Sequence, residues 1–289
     1  MFRRVFLFLF TNLLIIVLMS IVLRLVGFTG YFDAQGIGLD YGQLALFAAV
    51  FGFGGSFVSL FLSKWVAKRA TGARVIDSPK GQQEEWLLST TRQLAEKANV
   101  GMPEVAVFEG APNAFATGWN RNNALVAVST GLLESMDERQ VEAVIAHEVA
   151  HVANGDMVTL TLIQGVVNTF VIFFARIAGH FVDRVILKNE RGRSIGGFIA
   201  TIVFQIAFGV LASIVVMWFS RLREYRADAG AADLTSPEAM ISALRVLGGR
   251  GAQPLPEQVA AFGINGGPKW MALLRSHPPI EKRIAALSA

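Results

Sequence analysis

Four stretches of the chain carry no charged residue: 5–23, 41–63, 157–175 and 194–220. An uncharged apolar run near twenty residues long matches the hydrocarbon thickness of a bilayer, so the pattern predicts membrane helices before any other element. The 157–175 run is the least apolar, with Thr159, Thr161, Gln164, Asn168 and Thr169 in it. The 5–23 run follows Arg3 and Arg4 as a signal peptide would. Arg24-Leu25-Val26-Gly27 is nevertheless no small-residue cleavage site, so the run reads as an uncleaved span. The 41–63 run contains Phe-Gly-Phe-Gly-Gly-Ser-Phe, whose small residues let a neighbouring helix approach closely.

Between the second and third runs the pattern becomes that of a water-soluble domain. Trp86, Leu87, Thr91, Leu94, Ala95 and Ala98 recur at helical spacing. Three short extended segments follow, Glu104–Phe108, Ala114–Thr117 and Leu125–Ser129, with Gly110, Pro112, Gly118, Asn120, Asn122 and Asn123 as turn residues between them. Asp137 with Gln140 three residues on predicts a capped helix running through Ala153 and stopping at Asn154-Gly155. After Ser220 a helix is expected from Ser236-Pro237, then a Gly/Pro-rich connection from Gly248 to Pro268, then a closing helix after Pro278-Pro279. The expected fold class is therefore mainly α. A transmembrane bundle of four spans joins an α+β domain with a small β-sheet. The segments are a membrane hairpin 1–63, a soluble part 64–156, a second hairpin 157–220 and a second soluble part 221–289.

Composition narrows the chemistry. The chain of 289 residues is 53% hydrophobic with a net charge of +4, and its mean hydropathy of +0.48 is that of a membrane protein. The basic residues gather beside the apolar runs, which suits membrane topology and gives no support to a nucleic-acid partner. With no cysteine, disulfides, thiol nucleophiles and Cys-type zinc sites are excluded. The loop 28–42 has Asp33 and Asp40 and no Lys or Arg, whereas Lys64, Lys68, Arg69 and Arg74 follow the second run. Both ends of the first hairpin, and with them the soluble parts, are thus expected in the cytoplasm.

Any metal must be held by His and carboxylate, and there are four His. Two of them stand in His147-Glu148-Val149-Ala150-His151, inside the capped helix. One turn apart, both imidazoles face one ion, while Glu148 is placed to take a proton from water. Ordinary helix histidines are the bland alternative. Against it stand the cap and the apolar opposite face of Val141, Val144, Ile145 and Val152. Zinc needs a third protein ligand and an open position. Asn154 and Met157 stand where a metzincin would have Gly and His, so the ligand comes from further on: His180, Glu190, Glu224, Glu238 or His277. Glu224 is preferred, because Asp228 lies four residues later on the same helix face and can brace a liganding imidazole. A basic juxtamembrane patch, with both acids merely paired to Arg, is the alternative there.

Seven segments, FGFGGSFVSL, NAFATG, LVAVSTGLL, EAVIAHEVAHVANGDMVT, LIQGVVNTFVIF, MWFSRLREYRAD and HPPIEKRI, together resemble the HtpX family of bacterial membrane proteases, relatives of the CAAX prenyl proteases. The resemblance implies a gluzincin-type zinc endopeptidase with His147, His151 and Glu224 as ligands to one zinc ion, Glu148 as general base and Asp228 supporting a ligand. It also implies that Asn113-Ala114-Phe115-Ala116 is an edge strand receiving substrate backbone, where a buried hairpin strand is the plain alternative. His277 and Arg283 become a transition-state pair, where His277 before two prolines is otherwise a helix-start residue. The implied setting is the bacterial inner membrane, with the lipid bilayer and misfolded or damaged membrane proteins as partners, in protein quality control and stress response.

If Glu224 joins His147 and His151, the chain crosses the membrane an even number of times between them. The basic loop of Arg176, Arg184, Lys188, Arg191 and Arg193 disfavours export of that loop; four spans are nonetheless the expected topology. An intramembrane protease fits poorly, because Glu138, Arg139 and Glu142 precede His147. A non-catalytic scaffold with a structural metal is the remaining alternative, and it leaves Glu148 without a purpose.

Overall fold

The structure, a computed structural model, describes residues 41–189, 194–249 and 277–289. The 5–23 run, most of the 28–42 loop, Glu190 and nearly all of the Gly/Pro-rich connection lie outside the described residues. The chain divides into two compact units, one holding Met1–Val58 with Thr161–Val216 and the other Ser59–Leu160 with Met217–Ala289.

Three helices are long and apolar enough to cross a membrane: α1 (Tyr41–Thr71), α5 (Asp156–Phe181, prolonged by a π-helical turn to Ile186) and α6 (Ile195–Leu234). Each outruns the uncharged stretch that predicts it. A change from apolar to charged side chains alters what surrounds a helix without breaking its backbone ladder, so α1 continues past Ser63 and α6 past Ser220. The 40 residues of α6 span about 60 Å, twice the roughly 30 Å hydrocarbon thickness.

Within the first unit, Ala45, Ala48, Phe173 and Ile177 form a core. Small residues set the helix contact, as a Cβ on Gly52 would lie 2.6 Å from Thr169 and one on Gly165 would lie 2.3 Å from the Phe53 ring. Gly54 and Gly55 have nothing within 4 Å, so of the glycines in the Phe-Gly-Phe-Gly-Gly motif only Gly52 serves the close approach anticipated there. The turn joining α5 and α6 is tied by Asp183, which accepts from Asn189 Nδ2 and from the Ser194 hydroxyl and amide.

The second unit is built on a four-stranded sheet: β1 (Arg74–Val75), β2 (Glu104–Phe108), β3 (Ala114–Asn120) and β4 (Asn123–Ser129), in the order β1-β2-β4-β3. β2 and β4 are parallel and the other pairs antiparallel. Alternation along β4 feeds two cores: Leu125 and Ala127 join Ala106, Phe108 and Phe115 on one face. Ala124, Val126 and Val128 join the larger core on the other, with Leu87 and Leu94 of α2 (Gln82–Lys97). Two residues of sequence suffice for β1, too short a segment for alternation to reveal. Gly118, Asn120 and Asn123, expected in turns, belong to the strands. An irregularity between Gly118 and Asn120 keeps the ladder going to the tip, and Gly118 has φ 147° with Asn123 O where a Cβ would sit.

β4 leads through the single-turn α3 (Thr130–Ser135) into α4 (Glu138–Asn154). Asp137 and Gln140 form the full capping box, and Gly155 at φ 67° closes α4 in the left-handed conformation. α5 starts at the next residue. α7 (Pro237–Gly249) and α8 (Ile280–Leu287) complete the unit, with Met240, Ala243, Leu244 and Leu247 of α7 in the same core as Val141, Val144 and Ile145 of α4.

Candidate metal centre

Helix α4 buries its length against the sheet and α7, and this fixes the face that carries the two imidazoles. His147 and His151 meet edge to face, with ring centroids 4.7 Å apart and planes at 84°. Helix α6 brings Glu224 to them: its Oε2 lies 3.5 Å from His147 Nε2 and its Oε1 lies 3.3 Å from His151 Nε2. These three residues form the group among the described residues whose ligand atoms lie mutually within 4.8 Å. A tetrahedral ion with bonds of about 2.0–2.1 Å has ligand atoms about 3.3–3.4 Å apart, and the separations of 3.5 and 3.3 Å, each to a different Glu224 oxygen, are of that size. His147 Nε2 is buried with no hydrogen-bond partner among the described residues, which is costly unless something else satisfies it. A metal ion does so.

The surroundings hold each ligand from behind. His147 Nδ1 lies 3.0 Å from Asp228 Oδ1, one helical turn past Glu224. His151 Nδ1 lies 2.7 Å from Asp156 Oδ2. Burial disfavours protonation of His147, yet the carboxylates of Asp228 and Glu224 raise its pKa. Burial opposes protonation of His151 too, but Glu224 and Asp156 push it up to about 10. The centre is thus a buried negative well that attracts a cation.

Asp156 has no place among the residues singled out from the sequence. Its signal was present: it is the first residue after the Gly155 helix stop, where the chain reverses onto the liganding turn. Arg223, buried beside Glu224, donates from Nη1 to the Asp156 carbonyl (3.1 Å) and from Nη2 to Ser220 Oγ (3.1 Å).

α8 closes the site from another side. Arg283 is fully buried and grips Asp228 with two bonds, Nε to Oδ2 at 2.8 Å and Nη2 to Oδ1 at 2.6 Å. Its Nη1 has no hydrogen-bond partner among the described residues and lies 3.7 Å from Glu224 Oε2. His277 Nδ1 lies 2.5 Å from Glu224 Oε2, and its Nε2 has no hydrogen-bond partner among the described residues. Glu148 is buried, and its charge acts on His151 and Arg283. Of the other third-ligand candidates, His180 belongs to the first unit, Glu238 starts α7 and Glu190 lies outside the described residues.

β3 is an edge of the sheet, paired with β4 alone, and it packs against α4. Ala114, Phe115 and Ala116 point into the two cores, so what they leave free is main chain. Asn113 is anchored by Ser129: its amide donates to Oγ at 2.8 Å and its carbonyl accepts from the Ser129 amide at 2.9 Å. Its side-chain Oδ1 is buried without a hydrogen-bond partner among the described residues.

Comparison with known proteins agrees with this geometry. The chain is 59% identical to Protease HtpX of Thioalkalivibrio sulfidiphilus over 99% of both chains. It is 57% identical to Protease HtpX of Nitrosococcus oceani, covering 100% of this chain and 99% of that one. It is 58% identical to the Protease HtpX homolog of Bordetella pertussis, covering 99% and 98%. The crystal structure of S. mikatae Ste24p shares its fold, with a TM-score of 0.62 at 17% identity over 94% of this chain, which spans 64% of that structure. The model of peptidase family M48 matches residues 81–289, and three apolar helices accompany the His147, His151 and Glu224 cluster; the chain belongs to peptidase family M48, as a multi-pass membrane metallopeptidase.

Proposed function

We propose that the chain is a zinc-dependent endopeptidase of the bacterial inner membrane that cuts cytoplasm-facing segments of misfolded or damaged membrane proteins. The observation that carries the catalytic part is the position of Glu148, a buried carboxylate one residue from His147 in a three-ligand site. A structural metal site fills all four positions with protein and needs no base. The membrane setting rests on the three apolar helices and on the sequence of a fourth, at 5–23. The cytoplasmic orientation rests on the basic residues Lys64, Lys68, Arg69 and Arg74.

His147, His151 and Glu224 would hold zinc, with Asp228 and Asp156 orienting the imidazoles. Zinc supplies Lewis acidity, which polarises a scissile carbonyl and acidifies water. The free edge of β3 and the Asn113 side-chain carboxamide hold the substrate backbone extended. Glu148 takes the proton of the attacking water as oxygen bonds to the carbonyl carbon, and delivers it to the nitrogen as the C–N bond breaks. His277 Nε2 and Arg283 Nη1, both without hydrogen-bond partners among the described residues, supply donors to the oxyanion.

The test is made on purified protein with zinc quantified. Glu148→Ala is expected to keep one zinc per chain and lose activity by at least about a hundredfold, whereas Glu224→Ala loses the metal. Full activity in Glu148→Ala would refute the assignment. Proteomic comparison of cleavage products in cells with wild type and with Glu148→Ala then identifies substrates.

A further inference from the structure

The face of α1 that leaves the apolar stretch carries an ordered series. Phe61 (60% exposed), Trp65 (59% exposed) and Arg69 follow at four-residue intervals, with Leu62 exposed beside them and the Arg69 guanidinium 5.8 Å from the Trp65 ring. Apolar, then tryptophan, then cationic is the order in which a helix passes from acyl chains through the headgroups to water. The series therefore puts the headgroup boundary near Trp65, with Phe61 one turn, about 6 Å, deeper.

The ring of Trp119 lies against Phe61, centroids 5.6 Å apart. Trp119 is the penultimate residue of β3 and is 39% exposed. Lys64, lying between the two aromatic turns of α1, turns away from the apolar face and donates to Asn123 Oδ1 at the hairpin tip (2.7 Å) and to Glu104 (2.6 Å), the behaviour of an interfacial lysine. The β3–β4 tip is thus pinned to α1 at a level below Trp65. Water-facing Trp and Phe have no reason to be there, while a headgroup layer continuous with the one α1 crosses does accommodate them.

We infer that the tip of the β3–β4 hairpin, through Trp119 with Phe61 and Trp65, is embedded in the headgroup layer of the bilayer. It acts as an interfacial anchor and sets the substrate class as chain segments just emerging from a membrane. The second part rests on the endopeptidase reading above. From Trp119 to Asn113 is six residues of strand, about 20 Å. A substrate laid along this edge reaches the metal within about ten residues of the bilayer, so position relative to the membrane selects the scissile bond.

The absence of cysteine makes the anchor directly measurable. In full-length protein reconstituted in phosphatidylethanolamine/phosphatidylglycerol vesicles, a spin label on Trp119→Cys should collide with oxygen in preference to a water-soluble nickel chelate. Its depth should lie about 5–10 Å inside the interface, and a label on Ser89→Cys of α2 should show the reverse preference. Chelate access at 119 equal to that at 89 overturns the anchor. So does a label open to chelate in vesicles that becomes shielded only on adding a peptide substrate, since that gives the patch to substrate. This measurement needs no proteolysis, so its failure leaves the endopeptidase reading standing, and an inactive enzyme leaves the anchor standing. For the substrate class, single-span proteins with an unstructured cytosolic tail should be cut mostly within about ten residues of the span. Trp119→Glu should lower cleavage of such tethered tails relative to the free tail peptide by roughly tenfold, as loss of one buried aromatic contact predicts. Cuts spread evenly along the tail, or an unchanged ratio, overturn the positional rule.

Discussion

Asp156 illustrates how much a single side chain adds to a metal centre that already has its ligands. It holds Nδ1 of His151, leaving Nε2 turned toward Glu224, and its carbonyl is in turn held by Arg223. Removing such a partner lowers metal affinity by about 10–100-fold, so Asp156→Ala should weaken zinc binding by that factor in a competition titration against a chelator, with the helical content unchanged. Affinity equal to wild type would leave Asp156 a helix-start residue only. At this scale the sequence was legible where spacing on one helix carries the information: His147 with His151, and Glu224 with Asp228. It was silent on Asp156, whose contact runs backwards across a helix break, and on the division of labour at Arg283, whose two bonds to Asp228 leave one nitrogen facing Glu224. Such pairings across 55 positions have no periodic signature.

Elements that are closed by local chemistry were readable to the residue. The capping box at Asp137 and the left-handed Gly155 bound α4 as expected, and Asp137→Ala should cost about 1 kcal/mol, read as a lower thermal midpoint of the detergent-solubilised protein. The reading failed where ends are set by partners. The strands of the hairpin run on through Gly118 and Asn120 because pairing with β4 continues across the irregularity, and β1 exists only because β2 is beside it. Hydrophobicity likewise marked where helices enter an apolar medium and not where they end. Gly165→Leu tests the packing of the first unit: a side chain there meets the Phe53 ring, so the variant should unfold at lower temperature, whereas Gly54→Leu, with nothing within 4 Å, should not. Equal midpoints in the two variants would remove the proposed role of the close contact.

For the whole molecule, the decisive question is which segments lie on which side of the bilayer. In the four-span arrangement the turn between α5 and α6, with Asp183, Lys188 and Ser194, is exposed outside the cytoplasm. A protease-cleavable tag inserted at Lys188 in right-side-out spheroplasts should then be cut by external protease, and a tag near Ser89 should be protected. Protection at both positions would mean that α5 and α6 do not cross.

The unbroken course of α6 has a consequence for how this enzyme tolerates change. Glu224 stands 29 residues beyond the first residue of a single helix, so its compass bearing is a matter of counting. One residue inserted upstream swings the acid by about 100°, and a deletion swings it the other way. Length variation that loops absorb freely is therefore denied to this stretch, and lineages that altered it would have to do so by near-whole turns.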